Sequence, residues 1–300
     1  MRIARDAFAK VNLALDVGPP LASGLHPIAS WMAPIDLRDT IEIERLADDT
    51  PARLEVSWAH DAPRTSPIDW PHDKDLSMRA LRALERVLGR ALPAAIRVRK
   101  RIPVGGGLGG GSSDAAATLL ALRELFALPI DDVALHALAM TLGSDVAYFI
   151  DDAPPRPAIV EGLGERVTRV ARAPGLLTLV IPSFGCPTGA VYKAFDALPA
   201  GTTGTPSGER VRAVHDHALH TGLVRAPLFN ALAPAACAVE PRLEHLLNAL
   251  ARVGTPHVTG SGSCLFLVMP DQGAGALLDA ARNATRSVDL GCTVLGVRLI

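Results

Sequence analysis

At 300 residues the chain is long enough for two domains of the usual size, roughly 150 residues each. Hydrophobic residues make up 49% and aromatic residues only 4%, so Leu, Val, Ile and Ala must fill the core. A formal net charge of −1 argues against a basic nucleic-acid binder, and no uninterrupted run of about 18 apolar residues argues for a membrane span.

The first third alternates as strands do. Strands are predicted at Val11–Val17, Thr40–Leu46, Ala52–Trp58 and Ala95–Ile102. Between the last two, Asp75–Arg90 carries Leu76, Leu81, Leu84 and Leu88 at helical spacing and predicts an amphipathic helix. A glycine-rich stretch follows, then a helix over Ala115–Leu128 that Pro129 ends. Asp131 or Asp132 caps a further helix that Gly143 terminates. The segment Ala153–Pro157 (APPRP) predicts a boundary, giving domains over 1–157 and 158–300. Beyond it come a buried strand at Leu176–Pro182, a helix AVYKAFDAL, and a low-complexity loop at Pro199–Gly208. Helices at Val211–His220 and Leu243–Val253 follow, then strand SCLFLVMP, helix GALLDAARNA and strand TVLGVRLI. Strands and helices mix without strict alternation, so both halves are expected to be α+β.

The four cysteines, Cys186, Cys237, Cys264 and Cys292, form no C-x-x-C pair, which argues against a zinc ribbon or a redox motif. The opening MRIARDAFAK lacks the apolar core of a secretory signal. A cytoplasmic protein with reduced thiols is expected, monomeric or homodimeric, with neither a nucleic acid nor a membrane as partner.

The most informative stretch is KRIPVGGGLGGGSSDAAATLLAL, in which six of the seven residues Gly105–Gly111 are glycine. Without a Cβ, glycine lets backbone N–H groups converge on one point. The N-terminus of the following helix adds unpaired donors and a partial positive charge, and together these form a phosphate cradle. Ser112 and Ser113 fall at the loop–helix junction, where a hydroxyl can cap the helix, bind a phosphate oxygen or help to hold a metal. No lysine precedes the serines, so the stretch is not a Walker A loop. It also follows four strands, whereas a dinucleotide-binding βαβ unit normally opens its chain.

This stretch resembles the phosphate loop of the GHMP kinases. The doubled GGG around Leu108 resembles most the branch whose acceptor is a cytidyl diphosphate-linked polyol. AKVNLALDV, LGSDVAYF and VTGSGSCLF resemble that branch's other motifs, in the same order across nearly the whole chain. The resemblance implies a two-domain fold with an N-terminal ATP-binding domain. It implies ATP and Mg²⁺ as cofactors, with the metal ligands left open. Lys100, Pro103, Gly105, Gly106, Gly107, Leu108, Gly109, Gly110, Gly111, Ser112 and Ser113 would hold the nucleotide.

The resemblance further implies that Asp145 takes the proton of the acceptor hydroxyl. Lys10 would lower the pKa of that hydroxyl, or of Asp145, and stabilise the developing charge. Asn12, His26, Thr188 and Tyr192 would bind the substrate, with His26 reading the edge of the base and Tyr192 stacking on it. The implied acceptor is 4-diphosphocytidyl-2-C-methyl-D-erythritol, phosphorylated on its 2-hydroxyl in non-mevalonate isoprenoid synthesis. Three positions depart from the branch pattern: Leu25 stands where a stacking tyrosine is usual, Asp75 where asparagine is usual, and Ala147 where proline is usual. Two other readings stay open at this point: a related kinase acting on a sugar, homoserine or mevalonate-like alcohol, and a non-catalytic nucleotide-binding module.

Overall fold

The computed structural model describes residues 1–151, 154–199, 204–270 and 272–300. Ala153 of the expected Ala153–Pro157 boundary and residues 200–203 of the expected Pro199–Gly208 loop lie outside the described residues. The chain divides into two compact units that interleave along the sequence. The first comprises Met1–Ala9, Leu37–Pro103 and Gly109–Pro155; the second comprises Lys10–Asp36, Val104–Leu108 and Arg156–Ile300.

Two long strands, β1 (Arg2–Val17) and β2 (Ile28–Arg45), contribute residues to both units. In the first unit they are joined by β3 (Arg53–Trp58), helix α1 (Leu76–Leu88), β4 (Ala94–Lys100), α2 (Gly110–Leu125) and α3 (Asp132–Leu142). The strand order is β3-β4-β2-β1, with β2 antiparallel to β4 and β3 parallel to it. The three helices pack on one another. α1 buries Leu81 and Leu84 of the expected stripe together with Met78, while Leu76 and Leu88 are half-buried. Asp75 caps α1, accepting from the Ser77 N–H at 2.8 Å, and Asp131 caps α3 in the same way.

In the second unit β5 (Ala158–Gly162) runs antiparallel to the first half of β2, and β6 (Arg166–Arg169) pairs with β5. Further along lie β7 (Leu176–Ile181), α4 (Thr188–Asp196), α5 (Gly208–Thr221) and the two-residue β8 (Phe229–Asn230), which pairs with β1. Next come α6 (Ala233–Val239), α7 (Pro241–Leu250), β9 (Pro256–Val258), β10 (Leu265–Met269), α8 (Ala274–Ser287) and β11 (Thr293–Arg298). A second, antiparallel sheet has the order β11-β7-β10-β9. Its central strand β7 is buried almost throughout, as its unbroken apolar run requires.

Two expectations are corrected. Lys10, expected at the head of a strand, lies inside β1, because the alternation of Arg2–Lys10 already pairs as strand. Helix α2 begins at Gly110 rather than Ala115 and ends at Leu125, and Ser112 and Ser113, expected at the loop–helix junction, lie in its first turn.

Candidate active site

The glycine stretch is built in two parts. In the second unit, Val104–Leu108 is latched at consecutive carbonyls: the Lys10 N–H donates to Leu108 O at 2.9 Å and the Cys264 N–H to Gly106 O at 3.2 Å. The Thr259 hydroxyl reaches Gly107 O at 3.5 Å. Gly107 has φ +76°, and a Cβ there would sit 2.1 Å from the Thr259 carbonyl oxygen. Only glycine fits that close approach. Leu108 is 1% exposed and is the loop's apolar anchor. The Thr259–Ser263 turn therefore packs directly on the loop.

In the first unit, Gly109 is the N-cap of α2 in the left-handed conformation, with no side-chain capping bond. The N-termini of α1 and α3 have aspartate caps; that of α2 has only backbone to offer. Its first-turn N–H groups thus lack the partner that capping would supply and suit an anion.

Lys10 is 3% exposed and donates to Asn12 Oδ1 at 2.6 Å. Asn12 Nδ2 donates to Ser30 Oγ at 2.8 Å, and the Ser30 hydroxyl donates to Ala14 O at 2.9 Å. The Asn12 N–H donates to Thr259 Oγ1 at 3.0 Å. This chain of bonds fixes the ammonium of Lys10, and it ties the first motif to the last, 247 residues away. Asn230 supports the same turn by donating to the carbonyls of Val258 and Gly260, each at 2.8 Å. Asp145, in the first unit, lies in the turn between the C-terminus of α3 and the buried turn Ala147–Phe149. It is half-buried, and the Val146 N–H closes the turn onto Gly143 O at 3.1 Å.

The expected substrate residues of the second unit gather. The His26 and Tyr192 rings lie 4.8 Å apart, tilted by 38°. His26 Nδ1 donates to Gly18 O at 2.9 Å, and a carbonyl can only accept, so in the neutral ring Nε2 is the acceptor. Asp196 lies 3.5 Å from that nitrogen. Thr188 and Tyr192 are four residues apart on α4 and share a face, and the Thr188 hydroxyl meets Ser261 Oγ at 3.0 Å. Leu25 is 56% exposed, at the end of a turn closed by the Leu21 N–H on Leu25 O.

Lys100 and Asp75 have other commitments. Lys100 is 4% exposed and bonds the carboxylates of Asp39 at 2.6 Å and Asp114 at 2.7 Å. Burial disfavours its charge, but Asp114 and Asp39 outweigh that and raise its pKa. Asp75 divides its oxygens between the Ser77 N–H and the Trp70 indole N–H at 3.0 Å. All four cysteines are free thiols, and Cys264 is buried as a small core residue. Sequence reading missed Thr259, Ser30, Asn230, Asp39 and Asp114. Thr259 stood inside the quoted VTGSGSCLF motif and Asp114 inside the quoted glycine stretch; Ser30, Asn230 and Asp39 carry no local signal.

A strand carrying a fixed lysine, a latched glycine loop running into an uncapped helix and a second, antiparallel sheet define a GHMP kinase. The GHMP kinases N terminal domain matches residues 75–155. A 4-diphosphocytidyl-2-C-methyl-D-erythritol kinase of Xanthomonas oryzae pv. oryzae is 37% identical over 87% of this chain and 80% of its own. One from Anaeromyxobacter sp. (strain K) is 36% identical over 100% of this chain and 91% of its own. The crystal structure of a 4-(cytidine 5'-diphospho)-2C-methyl-D-erythritol kinase superposes with a TM-score of 0.75 at 29% identity, covering 99% of each chain. The chain belongs to the 4-diphosphocytidyl-2-C-methyl-D-erythritol kinase family.

Proposed function

We propose that the chain transfers the γ-phosphoryl group of ATP to the 2-hydroxyl of 4-diphosphocytidyl-2-C-methyl-D-erythritol, a step of non-mevalonate isoprenoid synthesis in the cytoplasm. The observation that carries this reading is the latched loop at Gly107, where backbone fills the space of a side chain just before an uncapped helix. Triphosphate oxygens suit that cradle: N–H donors of the loop and of the first turn of α2, from Gly105 to Ser113, would hold them. Residues 1–157 are then the nucleotide-binding domain and 158–300 the substrate domain; the second unit's last segment starts at Arg156, and that unit also takes Lys10–Asp36 and Val104–Leu108 from the first 157 residues.

Phosphoryl transfer needs positioning and charge neutralisation more than covalent chemistry. Asp145 receives the proton of the attacking hydroxyl. Lys10, oriented by Asn12, stabilises the alkoxide character that develops on the same oxygen. Mg²⁺ bound with the nucleotide supplies neutralisation of the phosphate oxygens. Among the described residues no group of three or more His, Cys, Asp or Glu forms a cage for it. A magnesium ion held by phosphates, waters and one or two protein oxygens needs none, and the Ser112 and Ser113 hydroxyls are the oxygens at that place.

On the acceptor side, Tyr192 provides a ring and Leu25 an aliphatic wall for the base. With Nδ1 spent on Gly18, Nε2 of a neutral His26 ring is an acceptor, which suits the N4 amino donor of cytosine and not the O4 of uracil. Thr188 offers a hydroxyl. The test is ADP release by the purified chain with ATP, Mg²⁺ and each of a panel of acceptors. Acceptor-dependent ADP release with the cytidyl compound is expected. ATP binding without turnover of any acceptor would favour the non-catalytic module instead.

A further inference from the structure

The first unit holds one cluster of buried charge that the proposed chemistry does not use. Lys100, at the end of β4, joins two carboxylates through one ammonium group: Asp39 Oδ2 at 2.6 Å and Asp114 Oδ2 at 2.7 Å. Asp39 is fully buried and Asp114 is 5% exposed. Lys100 stands three residues before Pro103, where the glycine segment leaves the first unit, and Asp114 five residues after Gly109, where it returns. The other oxygen of Asp39 accepts the N–H of Arg101 and, at 2.8 Å, that of Ile102. These are the last two residues before Pro103. Ile102 in turn packs on Gly110 so closely that a Cβ there would lie 2.9 Å from its methyl group. The Lys100–Asp114 bond and the Ile102–Gly110 packing therefore tie one stem of the segment to the other, and Asp39 anchors the first stem to β2.

Burying three charges is a poor way to stabilise a fold, since apolar residues of similar volume often do as well or better. Their placement has a better explanation in geometry. We propose that Asp39, Lys100 and Asp114 are positioning residues that clamp the two stems of the glycine segment at fixed separation and so set the affinity for nucleotide phosphates. The proposal rests on the reading of that segment as the phosphate cradle. It also changes the part of Lys100, which acts through the loop rather than on the nucleotide itself.

The two carboxylates are not equivalent. Asp39 makes its three bonds as an anion, to two N–H groups and an ammonium. Asp114 Oδ1 is buried with no partner, and burial raises the Asp114 pKa well above the usual carboxylate range despite Lys100. Asn keeps an oxygen for Lys100 at the place of Asp114 Oδ2 and sets its amide where Oδ1 has no partner, so it is the conservative replacement there. In Asp39→Asn, by contrast, an amide N–H₂ must face the ammonium or the two backbone donors.

The experiment measures KM for ATP, KM for the acceptor and kcat in folded variants, with direct ATP titration of the wild type. Asp39→Asn and Asp114→Ala should raise the ATP KM by about tenfold or more while acceptor KM and kcat move less than about threefold. Asp114→Asn should restore most of the ATP affinity that Asp114→Ala loses. Equal losses in both substrates, or in kcat alone, would overturn the clamp and leave a purely structural cluster; so would an unchanged ATP KM. Where a variant does not fold, hydrogen exchange on the wild type decides. The Arg101 and Ile102 amides should be protected without nucleotide, and those of Val104–Gly107 only after ATP is added. Fast exchange at Arg101 and Ile102 in the free protein would overturn the proposal. A wild type that does not bind ATP refutes the cradle reading and this inference with it; one that binds ATP, beside variants of wild-type KM, refutes the inference alone.

Discussion

Gly107→Ala tests the loop at the position where the structure leaves least room. The new methyl carbon would lie 2.1 Å from Thr259 O and 3.2 Å from Gly262 O, both backbone atoms that no rotamer change can move. A φ of +76° adds about 1–2 kcal/mol of left-handed strain for any residue with a Cβ. Relief requires the loop to lift, which breaks the Lys10–Leu108 and Cys264–Gly106 bonds at about 0.5–1.5 kcal/mol each. The sum is about 2–5 kcal/mol, divided between stability and nucleotide binding. Gly105→Ala is the matched control: its φ is +72°, but a Cβ there meets nothing within 4 Å, so only strain remains. Thermal unfolding and steady-state kinetics with varied ATP separate the two. Gly107→Ala should raise the ATP KM by about tenfold or more, since about 1.4 kcal/mol is a factor of ten. Gly105→Ala should show a smaller effect on both ATP KM and Tm. Equal behaviour of the two variants would refute the account of the latch.

Other outcomes follow from the same geometry. Asp145→Asn should lower kcat by about 10²–10⁴-fold with ATP binding, read by equilibrium titration, unchanged; near-wild-type kcat would remove Asp145 from the mechanism. Tyr192→Ala should weaken the cytidyl acceptor by about 1–3 kcal/mol, while Leu25→Tyr should hold or tighten it, both read as acceptor KM at saturating ATP. His257, half-buried against Phe266, has its pKa lowered to about 4 by burial. Between there and its ordinary 6.5 the unfolded chain binds the extra proton, so stability should fall as pH drops through that window, by at most about 3 kcal/mol. His257→Phe should flatten that part of a denaturation-against-pH curve.

Contiguous signals were legible in the sequence and non-local ones were not. Thr40–Leu46 alternates because one face of β2 is partly exposed there, and it was found; Ile28–Ile35 of the same strand is buried on both faces, shows no period of two, and was missed. The short strands β5, β6, β8 and β9 exist through their pairings, which no local pattern announces. The start of α2 was placed five residues late because glycine and serine are poor helix formers, and here tertiary packing of Gly110 on Ile102 overrides that preference. At the candidate site, the family motifs gave the positions of Lys10, Asn12 and the loop. They did not give Thr259 on Asn12, or Asp39 and Asp114 on Lys100, because these bonds join residues that only the fold brings together.

The central claim is the identity of the acceptor, and product analysis tests it most directly. The purified chain is incubated with ATP and Mg²⁺ and with, in turn, 4-diphosphocytidyl-2-C-methyl-D-erythritol, its uridyl analogue, homoserine, mevalonate and galactose. Rates of ADP formation are compared, and the product is examined by phosphorus NMR. The account predicts a new phosphomonoester on the 2-hydroxyl of the cytidyl compound. It also predicts a kcat/KM about 100-fold or more above that of any non-nucleotide alcohol, the scale on which a site with placed polar groups rejects a ligand that leaves them unpaired. A non-nucleotide alcohol turned over as efficiently as the cytidyl compound, or a phosphate found on another hydroxyl, would contradict it.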